Sequence, residues 1–187
     1  ICPSHYVKLP DSPLRSELAP NGELLLVHVS NFRPVKRAID CVEIFAKVKR
    51  EFPNLRLVMV GDGPERAAVK HRASVLGVEG DTIFVGKKSN IPEYLGVSDI
   101  FLLPSELESF GLAALEASAC ELPVIATRIG GIPEVVNEGE SGYLSDVADV
   151  EKMSADTLRL LQDDDLRSAF GKRGRELSVQ RYSPQAI

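Results

Sequence analysis

Six short apolar runs, each followed by a segment with helical spacing, constrain the fold of this chain most strongly. The runs lie at residues 24–30, 55–61, 82–86, 99–104, 123–127 and 142–145. Helical patterns lie at about 35–52, 64–76, 91–96, 110–120, 132–136, 149–162 and 165–180. Short, continuously apolar runs are typical of parallel strands buried on both faces. The alternation therefore predicts an α/β fold, a doubly wound parallel sheet of about six strands.

Composition excludes several classes of protein. Of the 187 residues 44% are hydrophobic, so one sizeable core can form and disorder is disfavoured. The net charge of −5 argues against a nucleic-acid partner, and no apolar run approaches the length of a transmembrane segment. Residues 1–20 lack a secretory signal. Three widely spaced cysteines, Cys2, Cys41 and Cys120, predict reduced thiols in a cytoplasmic protein.

The segments that follow the strands hold most of the unusual polar and glycine positions of the chain. They read SNFRPVK, GDGPER, GKKSN, PSELESFG and TRIGGIPE. Open parallel sheets bind ligands outside the carboxyl ends of their strands, where these segments meet. The pattern therefore predicts a ligand site formed by the loops after the strands.

The loop after the first strand combines basic residues with the start of a helix. Pro34 ends the strand and suits the first turn of the next helix. Arg33 and Lys36 then lie near the amino end of that helix, where backbone N–H groups favour an anion such as a diphosphate. A solvated basic turn is the alternative that the sequence leaves open.

Two further loops are rich in glycine. Gly61 and Gly63 match the first two positions of G-x-G-x-x-G, but Arg66 stands at the third, so a tight turn is favoured over a dinucleotide site. Gly130 and Gly131 allow either a close approach to a ligand or simply a tight loop. Both alternatives remain open for the second pair.

Two glutamates bracket the start of the helix at about 110–120. Ser109 is predicted to cap a helix that begins near Phe110, with Glu108 beside its positive end. Gly111 in the first turn costs about 1 kcal/mol relative to alanine, which the close approach of a ligand would justify. Glu116 lies among apolar neighbours, so it is either solvent-exposed or partly buried with a partner such as a ribose diol. The helical pattern alone favours exposure.

Other catalytic chemistry finds little support in the sequence. There is no G-x-S-x-G pattern, and the three histidines, His5, His28 and His71, are scattered along the chain. His28, inside the first apolar run, is predicted to be a core or loop histidine. The sequence contains no cluster with metal-ligand spacing, so no metal site is predicted.

The spacing of Glu108 and Glu116, with seven residues between them, resembles the E-x7-E motif of retaining glycosyltransferases of family four. The segments SDIFLLPS, LRLVMVGDGPER, TIFVGKKSNIPEYL and LPVIATRIGGIPEVVNEGESGYL are similar to that family as well. The resemblance covers about residues 22–183. The stretch HVSNFRPVKR resembles more specifically the branch that joins N-acetylglucosamine to L-malate in bacillithiol biosynthesis.

The resemblance implies one Rossmann-like half of a two-domain GT-B enzyme. Residues 22–183 would be the domain that binds the nucleotide-sugar donor. Residues 1–21 would be a linker from an amino-terminal domain that the chain lacks, and residues 184–187 the start of a truncated carboxyl-terminal tail. The chain by itself is then expected to be inactive.

The resemblance also assigns roles to individual residues. Three would act in catalysis by stabilising the leaving diphosphate or contacting the donor sugar, namely Arg33, Lys36 and Glu108. Six would bind the donor, namely Asn31, Lys87, Phe110, Gly111, Leu112 and Glu116. Glu116 would hold the ribose hydroxyls, Lys87 would lie near the uracil, and residues 110–112 would offer backbone N–H groups. Asn31 stands where many members carry an arginine, and Arg33 is expected to replace that arginine.

The implied reaction is hexosyl transfer with retention of anomeric configuration. The donor would be a uridine diphosphate sugar, UDP-N-acetylglucosamine in the specific branch. A small acceptor such as L-malate would bind through the missing domain. No metal or other cofactor is expected, because the basic residues would stabilise the departing diphosphate. The alternatives are half of a non-hydrolysing sugar-nucleotide epimerase and a non-catalytic nucleotide-sugar-binding module.

Overall fold

The computed structural model describes residues 1–186 and contains the predicted six-stranded sheet. The strands are β1 (Leu24–Val29), β2 (Leu55–Val60), β3 (Thr82–Gly86), β4 (Ile100–Leu103), β5 (Val124–Thr127) and β6 (Gly142–Ser145). They pair in parallel in the order β3-β2-β1-β4-β5-β6. The order reverses between β1 and β4, which opens a crevice at the carboxyl ends of these two strands. The predicted fold class is confirmed.

The described part of the chain contains eight α-helices, one before the first strand and the others between or after the strands. They are α1 (Pro13–Leu18), α2 (Ala38–Lys49), α3 (Arg66–Val75), α4 (Ile91–Gly96), α5 (Leu112–Ala119), α6 (Ile132–Val135), α7 (Val150–Gln162) and α8 (Asp164–Tyr182). Short 3-10 helices occupy Pro34–Lys36, Glu79–Asp81 and Pro184–Ala186. None of the helices within residues 1–186 is long and apolar enough to cross a membrane.

A left-handed residue accounts for two of the predicted helix starts that are wrong. The helix expected from residue 35 begins at Ala38, because Arg37 adopts a left-handed conformation with φ of 49°. The helix expected near Phe110 begins at Leu112. Gly111 takes the N-cap position with φ of 82°, and Ser109 does not cap the helix. A left-handed residue cannot lie inside a right-handed helix, so each helix begins after it.

Apolar side chains cover both faces of the sheet, as the continuous runs predict. Alternate residues of β1 point to opposite faces, and the two faces form separate core clusters. The cluster on one face includes Leu26 and side chains of α2, α3 and α7. The cluster on the other face includes Leu25 and side chains of α1, α4 and α5. This two-sided burial leaves the carboxyl edge of the sheet as the place where the loops present polar groups.

The amino-terminal segment is part of this packed structure. Leu18 of α1 is buried in the second core cluster, and the N–H of Leu9 donates to the carbonyl of Gly96 at 2.8 Å. The Arg15 guanidinium bonds the Asp99 carboxylate at 2.7 Å. Residues 1–20 contain four prolines and no clear apolar periodicity, so the sequence pattern did not predict α1. The prediction that residues 1–21 link to a preceding domain stays a prediction. The same holds for the tail predicted at 184–187, whose last residue lies outside the described part.

Candidate functional site

Four loops meet at the carboxyl edge of the sheet, as expected for parallel strands. Hydrogen bonds between backbone groups tie each loop to its neighbour: from Glu65 N–H to the Phe32 carbonyl (3.0 Å), from Glu106 to Val35 (2.8 Å), and from Gly131 to Ser109 (3.0 Å). These bonds join the loops after β1, β2, β4 and β5. Residues that are far apart in sequence therefore form one surface.

The glycines of these loops allow the backbones to pack closely. A Cβ atom on Gly63 would lie 1.8 Å from the carbonyl oxygen of Asn31, and one on Gly130 would lie 1.7 Å from that of Glu108. Gly130 also has φ of 50°, which side chains rarely allow. In the described structure, both glycines serve contacts between loops. A tight turn therefore accounts for Gly63 without a bound dinucleotide, and a tight loop accounts for Gly130 without the close approach of a ligand.

The structure brings together two of the three residues predicted to be catalytic. The Lys36 Nζ lies 2.7 Å from Glu108 Oε1, and the Ser105 hydroxyl donates to the same oxygen at 2.9 Å. The Lys36 and Glu108 side chains are only 22% and 12% exposed. An ion pair with this degree of burial is screened less than a surface pair. The cluster places a positive charge and a carboxylate in the loops beside the start of α5.

Arg33 and Asn31 lie on the exposed side of the same loop. The Asn31 side-chain oxygen accepts from the Arg33 backbone N–H at 3.4 Å, which turns the chain locally. Within residues 1–186, the Arg33 guanidinium has no ion-pair partner. Arg33 is therefore free to reach an anion at the sheet edge, whereas Asn31 engages its side-chain oxygen in the loop.

Lys87 lies apart from the Lys36–Glu108 pair. It follows β3, the outermost strand on one side, and β2 and β1 separate that strand from β4. At strand spacings of about 4.8 Å, the distance from β3 to β4 is roughly 14 Å. Lys87 is exposed and has no side-chain hydrogen bond among the described residues. Only an extended ligand could contact both Lys87 and Glu108.

The start of α5 presents unbonded backbone donors. The N–H groups of Gly111 and Leu112 have no acceptor in the part of the chain that the structure describes. The Phe110 ring is 38% exposed and meets Tyr182 edge to face, with ring centroids 5.5 Å apart. Leu112 is 54% exposed. The orphan N–H groups and the helix dipole make this end of α5 favourable for an anion or a hydroxyl oxygen.

Glu116 is partly buried, against the exposure that the helical pattern favours. Its Oε1 accepts a hydrogen bond from the Tyr6 hydroxyl at 2.9 Å. Burial is the main cause that raises the pKa of Glu116, and the bond from Tyr6 acts in the opposite direction. Burial and the adjacent carboxylate together raise the pKa of Tyr6 to about 12. Sequence reasoning missed Tyr6, which stands 110 positions away.

Comparisons with known proteins show the family of the chain and agree with its fold. The family model described as glycosyl transferases group 1 matches residues 13–177. The chain belongs to this family of glycosyltransferases. Among curated relatives, N-acetyl-alpha-D-glucosaminyl L-malate synthase of Bacillus anthracis is 42% identical over 183 residues, which cover 97% of this chain and 48% of that protein.

Solved structures of glycosyltransferases share the fold. Anabaena HepE in complex with UDP and glucose superposes with a TM-score of 0.90 at 23% identity, covering 98% of this chain and 51% of HepE. The carboxyl-terminal domain of a glycosyl transferase group 1 family protein from Francisella tularensis superposes with a TM-score of 0.88 at 24% identity. The match covers 99% of this chain and 100% of that domain. This glycosyltransferase chain thus has the fold of one Rossmann-like GT-B domain. It spans about half of the B. anthracis relative and of HepE.

A buried histidine orders the first loop of the glycosyltransferase domain. His28 is fully buried, with Nδ1 2.9 Å from the Leu102 carbonyl and Nε2 2.8 Å from the Ser30 hydroxyl. A carbonyl only accepts, so Nδ1 carries the proton, and Nε2 accepts from Ser30. The Ser30 oxygen then accepts from the Phe32 N–H at 3.1 Å. This chain of bonds steadies Phe32 at φ of 48°, four residues before Lys36.

We expect His28 to make the domain less stable in acid. Burial lowers the pKa of His28 to about 4, below its ordinary value of 6.5, so the unfolded chain binds a proton first as the pH falls. Stability should therefore be highest above pH 6.5 and fall as the pH approaches 4. The expected loss between pH 7.5 and pH 5 is about 2 kcal/mol.

Urea unfolding at several pH values tests this expectation. A His28→Gln variant should lose about 2 kcal/mol less than the parent chain over the same pH range, because Gln does not titrate. His71 is exposed, so His71→Gln should keep the full loss. An unchanged pH dependence in His28→Gln would show that other groups cause the acid sensitivity.

Proposed function

We propose that this chain is the donor-binding domain of a retaining hexosyltransferase that uses a nucleotide sugar. The observation that carries the proposal is the juxtaposition of Lys36 and Glu108 with the unbonded N–H groups of Gly111 and Leu112. A positive charge, a carboxylate and helix-terminal donors at one sheet edge suit a diphosphate linked to a sugar. The UDP bound in HepE supports a uridine nucleotide as part of the donor.

The ion pair between Lys36 and Glu108 supports separate roles for the two side chains once the donor binds. The diphosphate would attract Lys36, and Arg33 would add a second positive charge from the exposed side of the loop. Glu108, released from Lys36 but still bonded by Ser105, would accept hydrogen bonds from hydroxyls of the hexose. Asn31 shapes the loop that carries Arg33.

During transfer, the bond from the anomeric carbon to the diphosphate would break and a bond to the acceptor hydroxyl oxygen would form with the same configuration, while the hydroxyl proton would pass to the departing diphosphate. Negative charge grows on the departing diphosphate, where Lys36, Arg33 and the N–H groups of Gly111 and Leu112 would stabilise it. These groups supply the charge compensation that a metal provides in other enzymes, so the proposal requires no metal cofactor.

The remaining donor residues would bind the nucleoside. Glu116, just over one turn into α5, would accept from the two ribose hydroxyls, and Lys87, which follows β3, would lie beside the uracil. The roughly 14 Å between β3 and β4 suits an extended nucleotide that crosses the sheet edge. Phe110 would flank the sugar with its exposed ring.

The name of the B. anthracis relative supports N-acetylglucosamine as the transferred hexose and L-malate as the acceptor. We place the acceptor on a second domain that would close over the exposed loops of this one. Such closure would exclude water and strengthen every charge interaction in the site.

Titration with UDP, followed by NMR, tests the donor site. The signals of Lys36, Gly111 and Glu116 should shift, with a Kd on the order of 0.1–1 mM, equivalent to about −4 to −5.5 kcal/mol. Glu116→Gln should raise the Kd about tenfold, because a hydrogen bond to a charged group is worth about 1.5–3 kcal/mol. Glu51→Gln, an exposed position after α2, is the matched control and should bind UDP as the parent does.

A ligand variant locates the effect on the ribose. UDP that lacks the 2′-hydroxyl should bind the parent more weakly than UDP does, and Glu116→Gln should discriminate less between the two ligands. Unmoved site signals at millimolar UDP would overturn the donor site. If the parent and Glu116→Gln discriminate equally between the two ligands, Glu116 does not bind the ribose.

A further inference from the structure

Tyr6 lies on the amino-terminal segment and contacts the carboxylate proposed to bind the ribose. Its hydroxyl donates to Glu116 Oε1 at 2.9 Å, and its ring packs against the core cluster that includes α5. The hydroxyl is therefore held beside the carboxylate by packing as well as by one hydrogen bond. The same bond directs Oε1 of Glu116 toward the amino-terminal segment.

Arg175 of α8 anchors this segment to the helix that carries Glu116. Its Nη1 donates to the Tyr6 carbonyl at 2.6 Å and to the carbonyl of Ala119 at the end of α5. Its Nη2 donates to the Pro3 carbonyl at 3.4 Å. One guanidinium thus fixes the backbone of Tyr6 relative to α5, which removes freedom that the tyrosine side chain would otherwise have.

We propose that Tyr6 is a positioning residue that holds the Glu116 carboxylate in the orientation that receives the ribose hydroxyls. Tyr6 occupies one lone pair of Oε1, and the carboxylate keeps its remaining acceptor sites for a diol. A long glutamate side chain loses rotamer freedom when it binds a ligand, and Tyr6 removes part of that freedom beforehand. The inference rests on the proposed function, because it takes the ribose as the ligand of Glu116.

Affinity measurements in a double-mutant cycle test the coupling between the two residues. Tyr6→Phe, which keeps the ring, should raise the Kd for UDP about three- to tenfold. In a Glu116→Gln background the same change should have an effect below about twofold, because the carboxylate to be positioned is gone. Tyr143→Phe removes a hydroxyl from β6 and should leave the Kd unchanged. Arg175→Gln should reproduce part of the Tyr6→Phe loss.

A second measurement does not depend on UDP. The carboxyl ¹³C signal of Glu116 should titrate at higher pH in Tyr6→Phe than in the parent, because the lost hydrogen bond favours the charged form. The groups that act on this carboxylate or on its neighbour, the Cys120 thiol, are the Tyr6 hydroxyl and the Ile1 amino group on Glu116, and the charges of Arg175, Lys8 and Glu121 on Cys120. Burial raises the pKa of Cys120 to about 12, so titration below pH 7 leaves the thiol protonated.

The possible failures are distinguishable. Absence of UDP binding by the parent chain would overturn the proposed function. Parent-like UDP affinity in Tyr6→Phe, combined with weak binding by Glu116→Gln, would overturn only the positioning role. Tighter binding by Tyr6→Phe would show that Tyr6 competes with the ligand, and an unchanged carboxyl titration would show that the bond does not act on Glu116. Either result contradicts the inference.

Discussion

Replacing Gly130 with alanine should destabilise the domain by about 3 kcal/mol or more and abolish detectable UDP binding. The left-handed backbone of Gly130 would cost a side chain about 1–2 kcal/mol. Its Cβ would also lie 1.7 Å from the Glu108 carbonyl oxygen, and moving the two backbones apart should cost a further 1–3 kcal/mol. The displaced loop carries the carboxylate that pairs with Lys36, so the site would change with it.

Gly139→Ala separates the two costs. Gly139 has φ of 75°, but an added Cβ would meet nothing within 4 Å. The stability of this control should fall only by the cost of the left-handed backbone, and the control should bind UDP as the parent does. Urea unfolding and UDP titration of both variants provide the comparison. If Gly130→Ala is no less stable than Gly139→Ala, the loops after β4 and β5 are not packed as described.

Lys36→Ala should weaken UDP binding by tenfold to a hundredfold and change uridine binding by less than twofold. The substitution removes the cation proposed to meet the diphosphate, and it leaves the Glu108 carboxylate uncompensated beside the same phosphates. Arg37→Ala removes the same formal charge one residue later. Arg37 already pairs with Asp40 at 2.7 Å, so this control should lose less than about threefold in UDP affinity. Calorimetric titration with UDP and NMR titration with uridine measure both effects.

A double variant distinguishes loss of binding from loss of stability. Lys36→Ala leaves the mostly buried Glu108 with Ser105 as its remaining side-chain partner among the described residues, so some stability should be lost. Adding Glu108→Gln should restore stability, but it should not restore UDP affinity to the parent value. Equal losses in Lys36→Ala and Arg37→Ala would instead indicate a diffuse basic patch.

The apolar periodicity of the sequence determined the strands to within one or two residues. A strand buried on both faces needs a continuous apolar run, so local composition marks it directly, as in Leu55–Val60 and Val124–Thr127. The strand order β3-β2-β1-β4-β5-β6 is a property of the assembled sheet. Periodicity within one segment carries no information about which strands become neighbours.

Helix starts depended on backbone conformations that the residue types did not reveal. Ser109 matches the preference for an N-cap, but its carbonyl accepts from Gly131, and Gly111 forms the cap instead. Arg37 adopts a left-handed conformation although it is not glycine. In both loops, contacts with neighbouring loops override the conformational preference of the residue type.

The resemblance implied site roles for Lys36, Glu108 and Glu116. Their partners became visible only in the tertiary structure. Lys36 and Glu108 are 72 positions apart, and Tyr6 and Glu116 are 110 positions apart. The physical reason is that parallel crossovers return every strand to the same edge of the sheet, so residues distant in sequence become neighbours there. Which side chains then form hydrogen bonds depends on how the loops and the amino-terminal segment pack over that edge.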